Sequence, residues 1–404
     1  MKRTQGLTTE HLERYAAVLL WGLQTARTQS FKAGDTVMLR FDHAALPLAE
    51  IMHGLLIERK FHAIPRMTLT PRMEFDFYRQ STKRQLIFQP PGDRELIDSL
   101  NGSIYIHAPE SLTHLASVDP KKIGAALVAR KPLREQLVKR EEQGLYGWTL
   151  CTYPTPELAR QAGLSLARYS RQIIRACFLD HENPLAQWKH VYEGAGAIKN
   201  WLNGLDIQSI HLESAHADLV VTPGKKRKWI GVSGHNIPSF EIFMSPDWRG
   251  TSGVYYADQP TFRNGNYAKG IRLEFEKGFV VHVTADEGEA FVKEQIAMDR
   301  GACRVGEFSL TDKRFSRIDT FMADTLFDEN HGGRFGNCHI ALGASYSDTY
   351  SGNPGELTKE KKRTLGFNDS ALHWDMVNTE DKRVTAKLTG GETVTLYEKG
   401  IFTF

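Results

Sequence analysis

The chain has 404 residues, of which 51 are basic and 48 acidic, so its formal net charge at neutral pH is +3. This near balance gives no reason to expect nucleic acid or anionic lipid as the main partner. No run of about 18 apolar residues is present, so no membrane span is predicted. The length exceeds what one ordinary hydrophobic core organises, which predicts two domains.

Cysteine usage and the N-terminal residues bear on location. The four cysteines form no C-x-x-C pair, which favours a reducing cytoplasm over a disulfide framework. The first residues, Met1–Gly6, lead directly into a predicted helix without the uninterrupted apolar centre of a signal peptide. We therefore expect a cytoplasmic protein that contacts no membrane.

Helical and extended patterns alternate through the first half of the chain. Apolar residues spaced three and four apart predict a first helix, capped by Thr8 or Thr9. The further predicted elements are a strand over 36–41, a helix over 48–58, an extended piece at 67–69, a strand over 103–107, a helix over 123–139, a strand over 146–150 and helical structure over 156–205. Strands that alternate with helices at this spacing predict an α/β domain with a mostly parallel sheet.

Two polar residues, Asp42 and His43, follow the first predicted strand. No glycine fingerprint accompanies them, so no dinucleotide site is predicted. Their position corresponds to the ligand crevice at the carboxyl edge of an α/β sheet. We interpret them as loop residues, with a share in substrate binding as the alternative.

Strand patterns dominate the second half, from Ser209 onward. Glu276-Lys277-Gly278 has the chemistry of a tight hairpin turn, and further turns are predicted at Gly390-Gly391 and Lys399-Gly400. One helix is predicted over 287–299. We expect an N-terminal α/β domain over residues 1–205 and a mixed, strand-rich α+β domain, which binds metal, over 206–404.

Carboxylates and imidazoles recur within apolar segments of this second domain. A glycine-broken stretch over 327–343 carries acids and His339 and runs into a short apolar strand. Glu241 and Glu307 lie in other apolar segments, where a lone ionised carboxylate costs several kcal/mol unless a cation accompanies it. Taken singly, each acid is typical of an ion pair or a surface residue. Together, the four carboxylates and two histidines predict a metal site for Zn, Co, Mn or Mg.

The tripeptide His373-Trp374-Asp375 supplies one imidazole and one carboxylate of this set. In a strand, residues two apart point to the same face, so His373 and Asp375 would aim at one centre and Trp374 away from it. A neutral core histidine beside a turn aspartate is the alternative interpretation.

These segments resemble a known family when taken in order. The matching stretches are Asn236–Pro246, Arg304–Glu307, Phe327–Asn330, Cys338–Gly343 with Tyr346, and His373–Asp375. The chain is similar to the aminopeptidase T (aminopeptidase S) family of metallopeptidases. The resemblance implies a cytoplasmic, homodimeric exopeptidase that uses two divalent metal ions and acts on peptides with a free N-terminus.

The resemblance also implies roles for individual residues. The implied metal ligands are Glu241, Glu307, Glu329, His339, His373 and Asp375, with Glu307 bridging the ions. Tyr346 would lie near the metals and bind one or polarise the substrate carbonyl. The chain departs from the family at Phe240, where an acid is common, and in the longer glycine-rich loop between Glu329 and His339.

The mechanism expected from this resemblance is hydrolysis by a water molecule that two divalent metals activate. The sequence does not identify the general base. Other dinuclear hydrolases, such as a dipeptidase, amidase or phosphoesterase, use similar ligands and remain alternatives. A third alternative is a peptide-binding protein that has the same fold but no catalytic activity. The departure from the family at Phe240 supports this alternative.

Overall fold

The computed structural model describes residues 4–404, which divide into two units. The first unit comprises the chain up to Tyr192 together with Val232–Ser239 and Met322–Leu326. The second comprises Glu193–Gly231, Phe240–Phe321 and Phe327–Phe404. Each unit is thus built from separate stretches of the chain, and the domain boundary expected between residues 205 and 206 stays a prediction.

Helices and strands are numbered in chain order. The α-helices are α1 Thr9–Thr25, α2 Leu46–Glu58, α3 Pro71–Gln80, α4 Lys83–Leu86, α5 Asp93–Ser99, α6 Pro120–Glu142, α7 Pro156–Gln161, α8 Leu166–Ala176, α9 Pro184–Asn203, α10 Glu289–Ile296, α11 Thr325–Asp328 and α12 Lys359–Thr364. The strands are β1 Thr36–Phe41, β2 His62–Met67, β3 Gly102–His107, β4 Gly147–Thr152, β5 Ile207–Ser214, β6 Asp218–Thr222, β7 Asn236–Ile237, β8 Glu241–Met244, β9 Asp247–Ala257, β10 Thr261–Arg263, β11 Asn266–Ala268, β12 Ile271–Glu276, β13 Phe279–Thr284, β14 Val305–Thr311, β15 Asn337–Gly343, β16 His373–Asn378, β17 Lys382–Leu388, β18 Thr393–Glu398 and β19 Ile401–Phe402.

The first helix begins where its cap predicts. The Thr8 hydroxyl accepts a hydrogen bond from the backbone N–H of His11, and the His11 side chain accepts one from the Thr8 N–H. This reciprocal cap satisfies two of the N–H groups that a helix start leaves without partners. The apolar residues of α1 are buried, as their spacing predicts.

A five-stranded parallel sheet organises the first unit, in the order β2-β1-β3-β4-β7. Helices α1 and α2 cover one face, where Val37 and Leu39 of β1 and Ile104 and Ile106 of β3 are fully buried. The predicted α/β domain with a parallel sheet is confirmed. The order reverses between β1 and β3, which are neighbours in space but not in sequence.

Antiparallel strands build the second unit. The larger sheet has eight strands in the order β13-β12-β9-β6-β5-β17-β18-β19, and β10 pairs with β11 in a separate hairpin. The predicted turns join its strands: Lys277 and Gly278 both have positive φ, as a two-residue hairpin loop requires. This strand-rich α+β unit confirms the second half of the predicted fold class.

A smaller sheet of four antiparallel strands, in the order β16-β15-β14-β8, lies in the same unit. Every residue of β8, β14 and β15 is buried. An ionisable side chain on these strands therefore lies away from bulk water, and its charge has to be balanced nearby.

The structure differs from the sequence prediction in several places, including helices α11 and α12, where no helix was expected. The extended piece expected at 67–69 is strand β2, which begins earlier and ends at Met67. Helices α3, α4 and α5 were not predicted; α3 buries only Tyr78, α4 buries only Leu86, and α5 buries no residue. No helix among residues 4–404 is long and apolar enough to cross a membrane.

Candidate metal centre

Strand register places the candidate ligands on one face of the four-stranded sheet. Glu307 lies opposite Ala341, which in turn lies opposite Asp375 on the next strand. Ser309 lies between His339 and Phe243, and Glu241 lies opposite Thr311. Because side chains alternate along a strand, Glu241, Glu307, His339, His373 and Asp375 all point to the same side.

Glu307 lies at the centre of this set. One of its carboxylate oxygens is 3.2 Å from Nε2 of His339, and the other is 3.6 Å from Nε2 of His373. Nε2 of His339 is also 3.3 Å from a carboxylate oxygen of Glu241. The preceding residue must be glycine, since a Cβ on Gly306 would meet the carbonyl oxygen of Ala344 at 2.4 Å. Glu307 thus offers one oxygen to each histidine.

The second histidine has a defined orientation. His373 Nδ1 is 2.9 Å from the carbonyl oxygen of Ala344 and donates its hydrogen to it. In the neutral ring this bond leaves Nε2 without a hydrogen. Nε2 lies 3.4 Å from Asp375 and, although burial opposes the shift, Asp375 raises the pKa of His373. A backbone carbonyl that fixes the tautomer in this way is the usual outer partner of a metal-binding histidine. As predicted, His373 and Asp375 share a side, whereas Trp374 is buried against Phe291.

Glu329 reaches the same place from the glycine-rich loop. Ligand atoms of Glu329, His339 and Asp375 lie within 4.8 Å of one another, and those of Glu241, Glu307 and His339 form a second such group. The backbone carbonyl of Glu329 accepts hydrogen bonds from the Thr311 hydroxyl at 3.2 Å and the Asn337 amide at 2.9 Å. The hydrogen bonds of this loop therefore hold Glu329 beside the other candidate ligands.

Buried charge perturbs these groups strongly. Burial, partly opposed by the hydrogen bond to His339, raises the pKa of Glu307 to about 7. Burial and the neighbouring acids Glu241 and Asp375 raise the pKa of Glu329 well above its usual range. Although burial opposes it, His373 lowers the pKa of Asp375 to about 2. Carboxylates in one buried place thus compete for too few positive charges.

A divalent cation fits this donor set. The residues supply carboxylate oxygens and imidazole nitrogens, the donors that suit Zn, Co, Mn or Mg. The buried Nδ1 of His339 has no hydrogen-bond partner among residues 4–404. The nearby thiol of Cys338 lies on the opposite face of β15, where burial raises its pKa to about 12 and keeps it protonated.

Two further residues singled out in the sequence border the set. The ring of Tyr346 packs edge-on against His373, with ring centroids 4.7 Å apart. Phe240, at the position where the resemblance leads us to expect an acid, is buried, and its backbone N–H donates to the side chain of Asn330. The position next to Glu241 is therefore part of the packed interior.

Sequence reasoning missed the residues that support the ligands. The Ser309 hydroxyl donates to Glu241 at 3.3 Å, and Ala341, between Glu307 and Asp375 in the register, leaves room for their side chains. Alternation of polar and apolar residues along β14, with Ser309 and Thr311 on the side of Glu307, is the signal that points to them.

A buried face of carboxylates and imidazoles is typical of metal-dependent hydrolases. The sequence profile of the family described as thermophilic metalloprotease (M29) matches residues 8–402. Because this match spans nearly the whole chain, the protein belongs to that family of metallopeptidases.

Individual relatives agree with the family assignment. Aminopeptidase T of Thermus thermophilus is 28% identical over 304 residues, covering 71% of this chain and 72% of its own length. Aminopeptidase 2 of Geobacillus stearothermophilus is 28% identical over 331 residues, covering 77% and 78%. The structure of wild-type AmpT from Thermus thermophilus superposes with a TM-score of 0.78 at 21% identity, covering 98% of this chain and all of the other, and so shares its fold.

Proposed function

We propose that this protein is a metal-dependent aminopeptidase that removes N-terminal residues from peptides, using two divalent ions held by its four-stranded sheet. Membership of the metallopeptidase family supports the reaction class, and the names of its relatives support the exopeptidase activity. The observation that carries the proposal is the position of Glu307, whose two oxygens face two different histidines.

The proposed ligands divide into two overlapping groups. Glu241, Glu307 and His339 form one, and Glu329, His339 and Asp375 form the other. His373, beside both Glu307 and Asp375, completes the set. Glu307 is the proposed bridge, because it alone among them presents one oxygen to each histidine. The metal is Zn, Co, Mn or Mg on the chemistry of these donors.

When bound, the divalent ions supply Lewis acidity, which activates a water molecule and polarises the scissile carbonyl. Residues of the chain orient the proposed ligands and the substrate. Ala344 fixes the His373 tautomer, and Ser309 orients Glu241. Tyr346, whose ring lies against His373, is the proposed donor of a hydrogen bond to the substrate carbonyl.

Chelation followed by reconstitution tests the proposal. The metal-loaded protein is expected to release p-nitroaniline from Leu-p-nitroanilide, to lose this activity on chelation, and to regain it with one of the four named ions. Metal analysis of the active protein is expected to give two ions per chain. Cleavage that survives complete removal of metal would contradict the proposed chemistry.

A blocked substrate tests the exopeptidase assignment. An enzyme that recognises the free amine is expected to leave acetyl-Leu-p-nitroanilide intact under conditions in which Leu-p-nitroanilide is consumed. Equal rates on both substrates would assign the site to a broader amidase instead.

We also propose that the protein is cytoplasmic and forms a homodimer. A reducing cytoplasm agrees with the four free cysteines of the chain, Cys151, Cys177, Cys303 and Cys338. A homodimer is expected from the family resemblance. Light scattering of the purified protein checks this, since a dimer has twice the 45.7 kDa mass of the chain.

A further inference from the structure

The parallel sheet of the first unit carries polar and charged side chains on strands that are not at its edge. Tyr105 and His107 lie on β3, the central strand, and Arg40 lies on the adjacent β1. Inner strands of parallel sheets are ordinarily covered on both faces and apolar. Here the face opposite helices α1 and α2 is open enough at its carboxyl edge for Arg40 to be exposed.

These residues flank the point at which the strand order reverses. Strand β1 is followed in sequence by β2 on one side, whereas β3 lies on its other side. In open α/β sheets, ligands bind outside the carboxyl ends of the strands at such a switch point. Arg40 is the fifth of six residues in β1, and His107 ends β3, so both lie at that edge.

Two arginines lie side by side there. Arg40 of β1 pairs in register with Arg66 of β2, so their side chains leave the same face of strands about 4.8 Å apart. Arg40 stacks on the ring of Tyr105, with the guanidinium carbon 4.4 Å from the ring centroid. Among residues 4–404, neither guanidinium forms an ion pair or a hydrogen bond. Neighbouring like charges without an acid between them favour an anion.

The nearby carboxylates are engaged by other groups. Asp42 accepts hydrogen bonds from the hydroxyls of Thr68 at 2.5 Å and Tyr105 at 3.0 Å, and from the N–H of Ala108 at 2.7 Å. It also lies 3.1 Å from His107. Glu74 pairs with His114 at 2.7 Å. The two arginines are therefore available to bind an anion from solution.

We propose that the carboxyl edge of the parallel sheet is a second binding site, for a small molecule bearing a carboxylate or a phosphate group. Arg40 and Arg66 bind the anionic group, and Tyr105 holds the Arg40 side chain in place. Planar guanidinium groups bind both kinds of anion through paired hydrogen bonds. The site is separate in its residues from the metal ligands and adds a ligand to those of the proposed peptidase.

Anion-dependent stabilisation tests this proposal on the full, metal-loaded chain. The melting temperature is measured against increasing inorganic phosphate in one arm and acetate in the other, with chloride keeping the ionic strength constant. Wild-type protein is expected to be stabilised in at least one arm. In the double variant R40Q/R66Q, the fitted Kd for that anion is expected to rise at least about tenfold. Preference for phosphate or acetate then tells which group the ligand carries.

Two further variants keep the test decisive. R84Q/R94Q removes the same charge from exposed arginines of the same unit and is expected to bind as wild type does. R66Q alone leaves the stacking of Arg40 on Tyr105 intact, so it reports on the site even where the double variant is poorly folded. Anion binding by R66Q and R40Q/R66Q equal to that of wild type would overturn the proposal. So would the absence of stabilisation by either anion.

Discussion

Two carboxylates, the half-buried Asp42 in the first unit and the buried Glu307 in the second, have pKa values shifted in opposite directions. Burial disfavours the charge of both, yet hydrogen bonds and charge from His107, with Thr68 and Ala108, lower the pKa of Asp42 to about 2. Glu307 has other acids around it, and burial raises its pKa to about 7. The chain balances the charge of Asp42 by itself, whereas the acids around Glu307 need a cation from solution.

The largest effect is expected from Glu307→Gln. The amide keeps the size of the side chain but loses the charge that holds metal. We expect bound metal to fall by at least one ion per chain and hydrolysis of Leu-p-nitroanilide to fall more than about 100-fold, because residues that only support metal ligands already cost 10–100-fold. Metal analysis and the p-nitroaniline assay measure both quantities.

The melting temperature of Glu307→Gln after chelation tests whether its charge is balanced by metal rather than by the chain. Removing the charge of Glu307 relieves repulsion among the acids, and the two histidines keep Glu241 and Asp375 as partners. Metal-free Glu307→Gln is therefore expected to melt no lower than metal-free wild type. Glu276→Gln, which makes the same change at an exposed strand end, is the control and should change neither metal content nor activity. Full metal content in Glu307→Gln would show that Glu307 is not a ligand.

A smaller effect is expected from Asn337→Ala. The Asn337 amide donates hydrogen bonds of 2.9 Å to the backbone carbonyls of both Glu329 and His331, and so fixes the start of the glycine-rich loop. We expect its loss to weaken metal affinity by about 10–100-fold, as loss of an outer partner usually does. Titration of the metal-free protein with the ion that restores activity measures this change.

Asn378→Ala is the matched control for that prediction. Asn378 is equally buried, lies in the same sheet and donates to the carbonyl of Tyr256 at 2.9 Å, but it points to the opposite face from the ligands. Both variants are expected to lower stability by about 1–3 kcal/mol, the cost of leaving a buried acceptor unpaired. Equal metal affinity in the two variants would show that Asn337 does not position the glycine-rich loop for metal binding.

The role of Asn337 could not be predicted from the sequence. Glu241 and Glu307 drew attention because each lies in an apolar segment, where a buried charge requires a partner. The full ligand set came from the resemblance to the family and stays a prediction. The path of the loop that carries Glu329 was not predictable. It depends on hydrogen bonds from Thr311, 18 residues away in sequence, and from Asn337, and these follow from strand register rather than from local pattern.

Helices with little to bury were missed for a related reason. Helices α4 and α5 have four and seven residues, too few to show the apolar repeat by which a helix is recognised in a sequence. The parallel sheet was predictable because strand and helix patterns alternate along the first half of the chain. Its strand order was not, and the switch point beside Arg40 became visible only with the structure.

The smallest effect is expected from Asp42→Asn, which removes a charge that the chain itself balances. Because the pKa of Asp42 is lowered from 3.8 to about 2, its ionised form stabilises the fold above pH 3.8, and this contribution is lost as the pH falls towards 2. The difference corresponds to about 2 kcal/mol, or a melting temperature about 4–8 °C lower at pH 6. Melting curves from pH 6 to pH 3 should show the two proteins converging below about pH 4. Unlike the loss of activity in Glu307→Gln, this difference is expected to be the same with and without chelator. A melting-temperature difference that changes with chelator would contradict the idea that the chain balances the charge of Asp42 without a metal ion.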